Sequence, residues 1–199
     1  WQEDKGFRAA KSRNKAIAKS NFEYIILIDG DSILHNKFLE DHLFHAELGY
    51  FVQGSRVLLN ESSSKQVLNN NNTSFSYFSK GISNRKNSIN STFLSKLFLN
   101  KKNSLHGIKT CNMAFYKKDC IKVNGFNNDI EGWGREDSEY AARLLNSGMS
   151  RKSIWFNMIQ FHLWHQKSKK EFLEKNDLIL KSTISNQKNW CDSGLNKYL

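Results

Sequence analysis

Residues 23–32 read EYIILIDGDS. Tyr24 to Ile28 form an unbroken apolar and aromatic run, without the alternation of a strand that keeps one face wet. The run therefore predicts a strand covered on both faces. It stops at Asp29-Gly30-Asp31, two carboxylates around a glycine. Upstream, Arg8 to Ser20 sets Ala, Ile and Ala at helical spacing among basic residues, which predicts a helix feeding that strand. Helix followed by doubly covered strand is the grammar of an α/β fold, here expected as a mostly parallel sheet flanked by helices.

Working outward, residues 35–48 (HNKFLEDHLFHAEL) predict an amphipathic helix and residues 50–59 (YFVQGSRVLL) a second strand. Residues 91–99 predict a short helix, 111–116 (CNMAFY) a strand, and 117–126 a helical turn ending at Gly125. Glu136 to Leu145 carries Tyr140, Ala141, Leu144 and Leu145 on one side and is stopped by Asn146-Ser147-Gly148, a helix with its C-cap. Residues 153–165 (SIWFNMIQFHLWH) look β-rich, and 170–190 predict a closing helix. Residues 60–104 stand apart as a polar, basic insertion. Within it, 60–76 (NESSSKQVLNNNNTSFS) looks too polar to bury the surface that ordering requires.

The chain has 199 residues, 39% hydrophobic, enough for one domain with a core. No apolar run approaches the roughly 20 residues needed to cross a bilayer, so the chain is expected to be soluble. Three cysteines without C-x-x-C spacing suggest neither a disulfide framework nor a thiolate metal site, and fit a reducing compartment. The net charge of +11 is concentrated: Ser62 to Asn128 holds eleven Lys or Arg and one acid, Asp119. Such a surface suits nucleic acid, an anionic membrane or a phosphorylated substrate, and equally a solvated insertion.

Asp29 and Asp31 lie where ligands bind in open α/β sheets, at the carboxyl end of a buried strand. Hard oxygen donors there suit Mg²⁺ or Mn²⁺ bridging to a diphosphate, although Asp-Gly-Asp also makes an ordinary turn. His162 and His165, spaced His-x-x-His, can complete the shell of a metal on Asp31 only if the backbone bends, because residues three apart on a strand face opposite sides. His35, His42, His45 and His106 read as satisfied or surface groups. Glu136, Asp137 and Glu139 follow the turn Gly132-Trp133-Gly134. Acids at a helix start are ordinary, since the exposed amides favour them. An inverting group transfer also needs a carboxylate base, and Asp137 fits that role, with Glu136 orienting the acceptor or holding the loop. Trp133 offers a face for a sugar ring, or anchors the core.

The order of these motifs resembles the GT-A glycosyltransferases of family two, especially bacterial polysaccharide galactosyl- and N-acetylhexosaminyltransferases. QEDKGFRAAKSRN (2–14) resembles the segment before their metal strand, LIDGDS (27–32) their DxD motif, and residues 124–150 the Gly-Trp-Gly, Glu-Asp motif shared with animal β-1,4-galactosyltransferases. The resemblance implies that Asp31 and His165 bind the metal, with His162 where those enzymes use methionine. It places Asp29 near the donor's ribose or the metal's waters, and Asp4 and Arg13 at the nucleotide and diphosphate. Asp137 matches the base and Glu136 the acid contacting the acceptor. Arg135 stands where the animal enzymes have glycine, beside Trp133 in the acceptor site, which it would narrow or recharge. The family's opening strands, which grip the uracil, have no counterpart before Trp1, so a truncated domain is expected. The implied activity is Mn²⁺- or Mg²⁺-dependent transfer of galactose or an N-acetylhexosamine from a UDP-sugar to a glycan or lipid-linked acceptor in surface polysaccharide synthesis. The implied setting is the cytoplasmic face of a bacterial membrane, with peripheral contact to anionic lipid and no nucleic-acid partner. Two other readings compete: a metal-dependent phosphoesterase or nuclease, and a non-catalytic glycan- or membrane-binding fragment.

Overall fold

The computed structural model describes residues 6–70, 73–101, 103–166 and 170–199, so Asp4 lies outside the described residues. Helix α1 (Ala9–Lys19) buries Ala10, Asn14 and Ile17 and leads into β1 (Tyr24–Ile28). A turn at Gly30-Asp31 sends the chain into β2 (Ser32–Leu34), then α2 (Phe38–His45), β3 (Tyr50–Gln53) and β4 (Val57–Leu59). Helix α3 (Glu61–Asn70), β5 (Ile82–Ser83) and α4 (Thr92–Leu97) follow, then β6 (Asn112–Tyr116) and α5 (Lys117–Lys122). The chain closes with α6 (Glu136–Asn146), β7 (Ser150–Ser153), β8 (Gln160–His162) and α7 (Leu173–Ser185). No described helix is long and apolar enough to cross a membrane.

Two four-stranded sheets form, in the orders β1-β6-β3-β7 and β2-β8-β4-β5. The main core lies between the first sheet and helices α1 and α6, where Phe126 stacks on the wholly buried Tyr140 at 4.1 Å. Phe38, Val52, Ala114, Ile154 and Met158 fill that sheet's other face. A separate cluster of Val57, Leu59, Val67, Ile82, Ile159 and Phe161 ties α3 to the second sheet.

The α/β expectation stands, with corrections in detail. The sheets are not mostly parallel: β3 with β7 and β4 with β8 are parallel, whereas β1 with β6, β3 with β6, β2 with β8 and β4 with β5 are antiparallel. The topology explains it. From β3 the chain passes straight into the second sheet, and when it returns, β6 enters the first sheet at the end β3 left and runs back between β3 and β1. With β6 as its one partner among the described strands, β1 is half-buried, yet both its faces are covered: Ile25 and Leu27 pack on the α1 and α6 side and Tyr24 and Ile26 on the other. Residues 50–59 make two strands, not one, because Asn112 wedges the break: its side-chain amide donates to the carbonyls of Ser55 (2.7 Å) and Met158 (2.8 Å).

Residues 61–70, expected to lack order, form α3 with Ser63, Ser64 and Val67 buried. One apolar residue and two small hydroxyls on one face are enough to seat it. The stretch 153–165 contributes only the last residue of β7 and the three-residue β8. Phe156 and Met158 have positive φ (65° and 54°), and Asp41 of α2 accepts hydrogen bonds from the Asn157 amide and the Met158 N–H. Strand β7 is hidden in the sequence by its polarity (SRKS). Its buried Lys152 is neutralised by Glu47, and Arg151 donates to the carbonyls of Ser104 and His106.

Candidate active site

The turn at Gly30 separates two clusters. On one side β2 pairs with β8, register Ser32 opposite His162, and the Leu163 N–H extends the ladder onto the Asp31 carbonyl (2.9 Å). The pairing brings Asp31 and His162, 131 positions apart in sequence, to one place. Beyond His162 the chain leaves the strand, and the Ser64 hydroxyl of α3 accepts the Trp164 N–H at 2.8 Å. That bend meets the condition set by the His-x-x-His spacing. Nε2 of His162 and of His165 lie 3.4 and 3.3 Å from Asp31 Oδ2.

These three side chains form the candidate metal cluster among the described residues, their ligand atoms all within 4.8 Å of one another. His165 Nδ1 sits 2.7 Å from the Gln166 carbonyl oxygen, so Nδ1 donates there and Nε2 is the ring atom turned toward Asp31. Burial lowers the pKa of His162 against the pull of Asp31, which favours the neutral, ligating form. Asp31 Oδ1 is buried without a hydrogen-bond partner among the described residues, a cost that a cation would remove. The donor set therefore fits a divalent ion.

On the other side of the turn, Arg13 of α1 is nearly enclosed by carboxylates. It donates to Asp29 Oδ1 and Asp137 Oδ1, both at 3.2 Å, and stands 3.7 Å from Glu136 Oε1. Burial works against its charge, but the three acids outweigh burial and raise its pKa. The Thr110 N–H donates to Asp137 Oδ2 at 3.1 Å and its hydroxyl to Oδ1. Glu136 is 8% exposed, and burial, then the charge of Asp137, push its carboxyl up to about 7 despite Arg13. Glu139, the third acid of the motif, has a different fate. It forms a two-pronged, fully buried ion pair with Arg143 (2.8 Å on each prong) and accepts from Thr183, so its role is structural.

Gly132 and Gly134 have φ of 70° and 105°, and a Cβ on Gly132 would fall 2.4 Å from Phe172. Glycine is required there by conformation and by the approach of the α7 end of the chain. The buried Asn176 of α7 holds the turn by donating to the carbonyls of Glu131 and Gly134. Trp133 is 41% exposed with Lys170 Nζ 5.5 Å from its ring, which decides against a core anchor. Arg135 has φ 77° and is ion-paired with Asp177 of α7.

The structure thus joins Asp31, His162 and His165 in one cluster and Asp29, Arg13, Glu136 and Asp137 in the other. It turns Arg135 toward α7 and gives Arg13 acids as partners. A Cβ at Gly30 would meet no protein atom within 4 Å, so the chain's own packing does not demand glycine there. Thr110, Asn176 and Ser64 were not foreseen; each acts through a single hydrogen bond or pair that no spacing signals. The three cysteines are free and buried, and His42 and His45 are buried on Asn112 and Asn157, as their sequence reading expected.

Comparison with known proteins bears on these clusters. Residues 93–166, which contain Asp137, His162 and His165, match the family model described as the N-terminal domain of galactosyltransferase. Chondroitin sulfate N-acetylgalactosaminyltransferase 1 of Mus musculus and of Homo sapiens are each 38% identical over 52 residues, 26% of this chain and 10% of those enzymes. The mixed α/β architecture, with sheets flanked by helices, is consistent with the GT-A fold. The model for glycosyl transferase family 2 matches residues 2–123, more than half of the molecule, and the chain belongs to that family.

Proposed function

We propose that this domain carries out a metal-dependent, inverting transfer of a hexose, galactose or an N-acetylhexosamine, from a UDP-sugar to a glycan or lipid-linked acceptor. One observation carries the reading: the turn at Gly30 puts a carboxylate–histidine cluster on one side and the Glu136–Asp137 pair on the other. A divalent cation on Asp31, His162 and His165 would supply neutralising charge for the donor's diphosphate. Asp137 takes the proton of the acceptor hydroxyl as that oxygen bonds to the anomeric carbon and the bond to the departing UDP breaks. Thr110 and Arg13 fix the Asp137 carboxylate in place, which supports a positioned base. Glu136, with a pKa near neutrality, orients the acceptor, and the exposed ring of Trp133 offers a sugar face.

The role in bacterial surface polysaccharide synthesis and a place on the inner face of the cell membrane belong to the same proposal. Exposed Leu39 and Leu43 of α2 and Phe93 and Leu97 of α4, with Lys96 Nζ 5.0 Å from the Phe44 ring, support contact with an anionic bilayer. The test is UDP release from UDP-galactose, UDP-N-acetylgalactosamine and UDP-N-acetylglucosamine with Mn²⁺ and a panel of glycan acceptors. Acceptor-dependent release from at least one donor, lost on chelation, is expected; no release from any, by protein that binds UDP, would refute the transferase reading.

A further inference from the structure

A cleft of about 1010 Å³ opens beside these clusters. Arg56, Arg85, Lys86, Lys109 and Arg151 line it, and no Asp or Glu does. Among the described residues none of the five forms an ion pair. Arg85 and Arg151 spend donors on backbone carbonyls and Arg56 Nη1 donates to Cys111 Sγ, while Nε of Arg151 and of Arg56 has no hydrogen-bond partner among the described residues. Five cations lining one cleft without counter-charge repel one another and concentrate anions there, so an anionic ligand would be favoured. Trp155 and Tyr77 line the same cleft and are 49% and 40% exposed, flat surfaces of the kind that pack against pyranose rings. The cleft reaches the chemistry: Lys109 and Cys111 in its wall flank Thr110, the residue that holds Asp137.

We propose that this cleft binds the acceptor and that the acceptor is an anionic glycan, carrying a carboxylate or a phosphate on sugars close to the one that receives the hexose. The inference rests on the transferase reading and narrows its substrate class. The guanidinium forks match planar carboxylates and phosphates, and the aromatic rings separate a sugar polymer from a bare polyanion.

The test is direct binding, independent of turnover, to four probes. These are an unsulfated oligosaccharide alternating uronic acid with N-acetylhexosamine, a polyol-phosphate oligomer, a neutral N-acetylglucosamine hexamer and a single-stranded oligonucleotide of matched charge. At least one acidic probe of the first two is expected to bind about tenfold or more tighter than the neutral hexamer, and the one that binds identifies carboxylate or phosphate. Lys86→Glu and Trp155→Ala, both at exposed positions, should each weaken that binding about tenfold and leave Mn²⁺-dependent UDP binding unchanged. Equal binding of the neutral hexamer, or no binding of either acidic glycan to folded protein, would overturn the proposal. So would an oligonucleotide that binds as tightly and ignores Trp155→Ala. Loss of UDP binding in the cleft variants would make the cleft a diphosphate site and overturn the acceptor assignment while sparing the transferase reading. Failure of the transferase reading itself would instead show as acidic-glycan binding without UDP release from any sugar nucleotide.

Discussion

The two clusters flanking Gly30 are both built around carboxylates, and they handle partly buried negative charge in opposite ways. Asp29, Glu136 and Asp137 carry their own cation, Arg13, whose side chain is only 15% exposed. Asp31 meets two imidazoles, and one of its oxygens is buried without a hydrogen-bond partner among the described residues. The first arrangement is complete as folded and suits a fixed catalytic carboxylate. The second would be completed by a cation from outside, which would make binding at that side depend on metal. A carboxylate held by an internal cation positions chemistry, and one left without a cation recruits a ligand.

Removing charge from each side should therefore have different consequences. The largest effect is expected from Asp137→Asn: kcat falls on the order of a thousandfold with UDP affinity unchanged, since Arg13 retains Asp29 and Glu136. Steady-state kinetics beside a UDP titration would show it, and retained turnover would remove Asp137 from the base role. Asp31→Ala should give the complementary result, a loss of about a hundredfold or more in Mn²⁺-dependent UDP affinity with little change in thermal stability. Arg13→Ala should act mainly on the fold. Leaving three carboxylates without their cation is expected to cost about 2–3 kcal/mol by chemical denaturation, less than for a fully buried pair.

Glu136 provides a finer test through pH. Its carboxyl is raised from 4.5 to about 7, so the folded state holds a proton that the unfolded chain releases. The stability this proton confers is full below pH 4.5 and is lost as pH rises to about 7. Glu136→Gln should flatten the stability profile across that window; a profile unchanged from the parent would mean that Glu136 is ionised throughout. The smallest effect is expected for Gly30→Ala, which should leave the melting temperature unchanged and weaken UDP–Mn²⁺ binding a few-fold, because its Cβ would project into space open to a ligand.

Much of the architecture was legible because its signals are local. The α1–β1 unit, α2, α6 and α7 follow from apolar spacing and stop signals that need no tertiary information. Sheet direction was not legible, because β6 runs antiparallel for a topological reason that the strand NMAFY does not carry. Strand β7 was hidden since its buried Arg151 and Lys152 depend on remote partners, and α3 since three small or apolar contacts seat an otherwise polar helix. In the site, Asp31 with His162 and His165 could be paired from spacing and resemblance, but the bend that unites the histidines depends on Ser64, in a segment read as disordered. The three acids behind the glycine–tryptophan turn divide by burial: Glu139 is locked on Arg143, while Glu136 and Asp137 face Arg13 and Thr110.

The account depends most on the open charge at Asp31. Electron paramagnetic resonance of Mn²⁺ titrated into the protein with UDP present measures it directly, with Asp31→Ala and His165→Ala as controls. The expected result is a bound-Mn²⁺ population in the parent that either substitution strongly reduces while the fold is retained. Free-ion spectra throughout in folded parent protein, or bound Mn²⁺ undiminished in Asp31→Ala, would contradict the metal-dependent site.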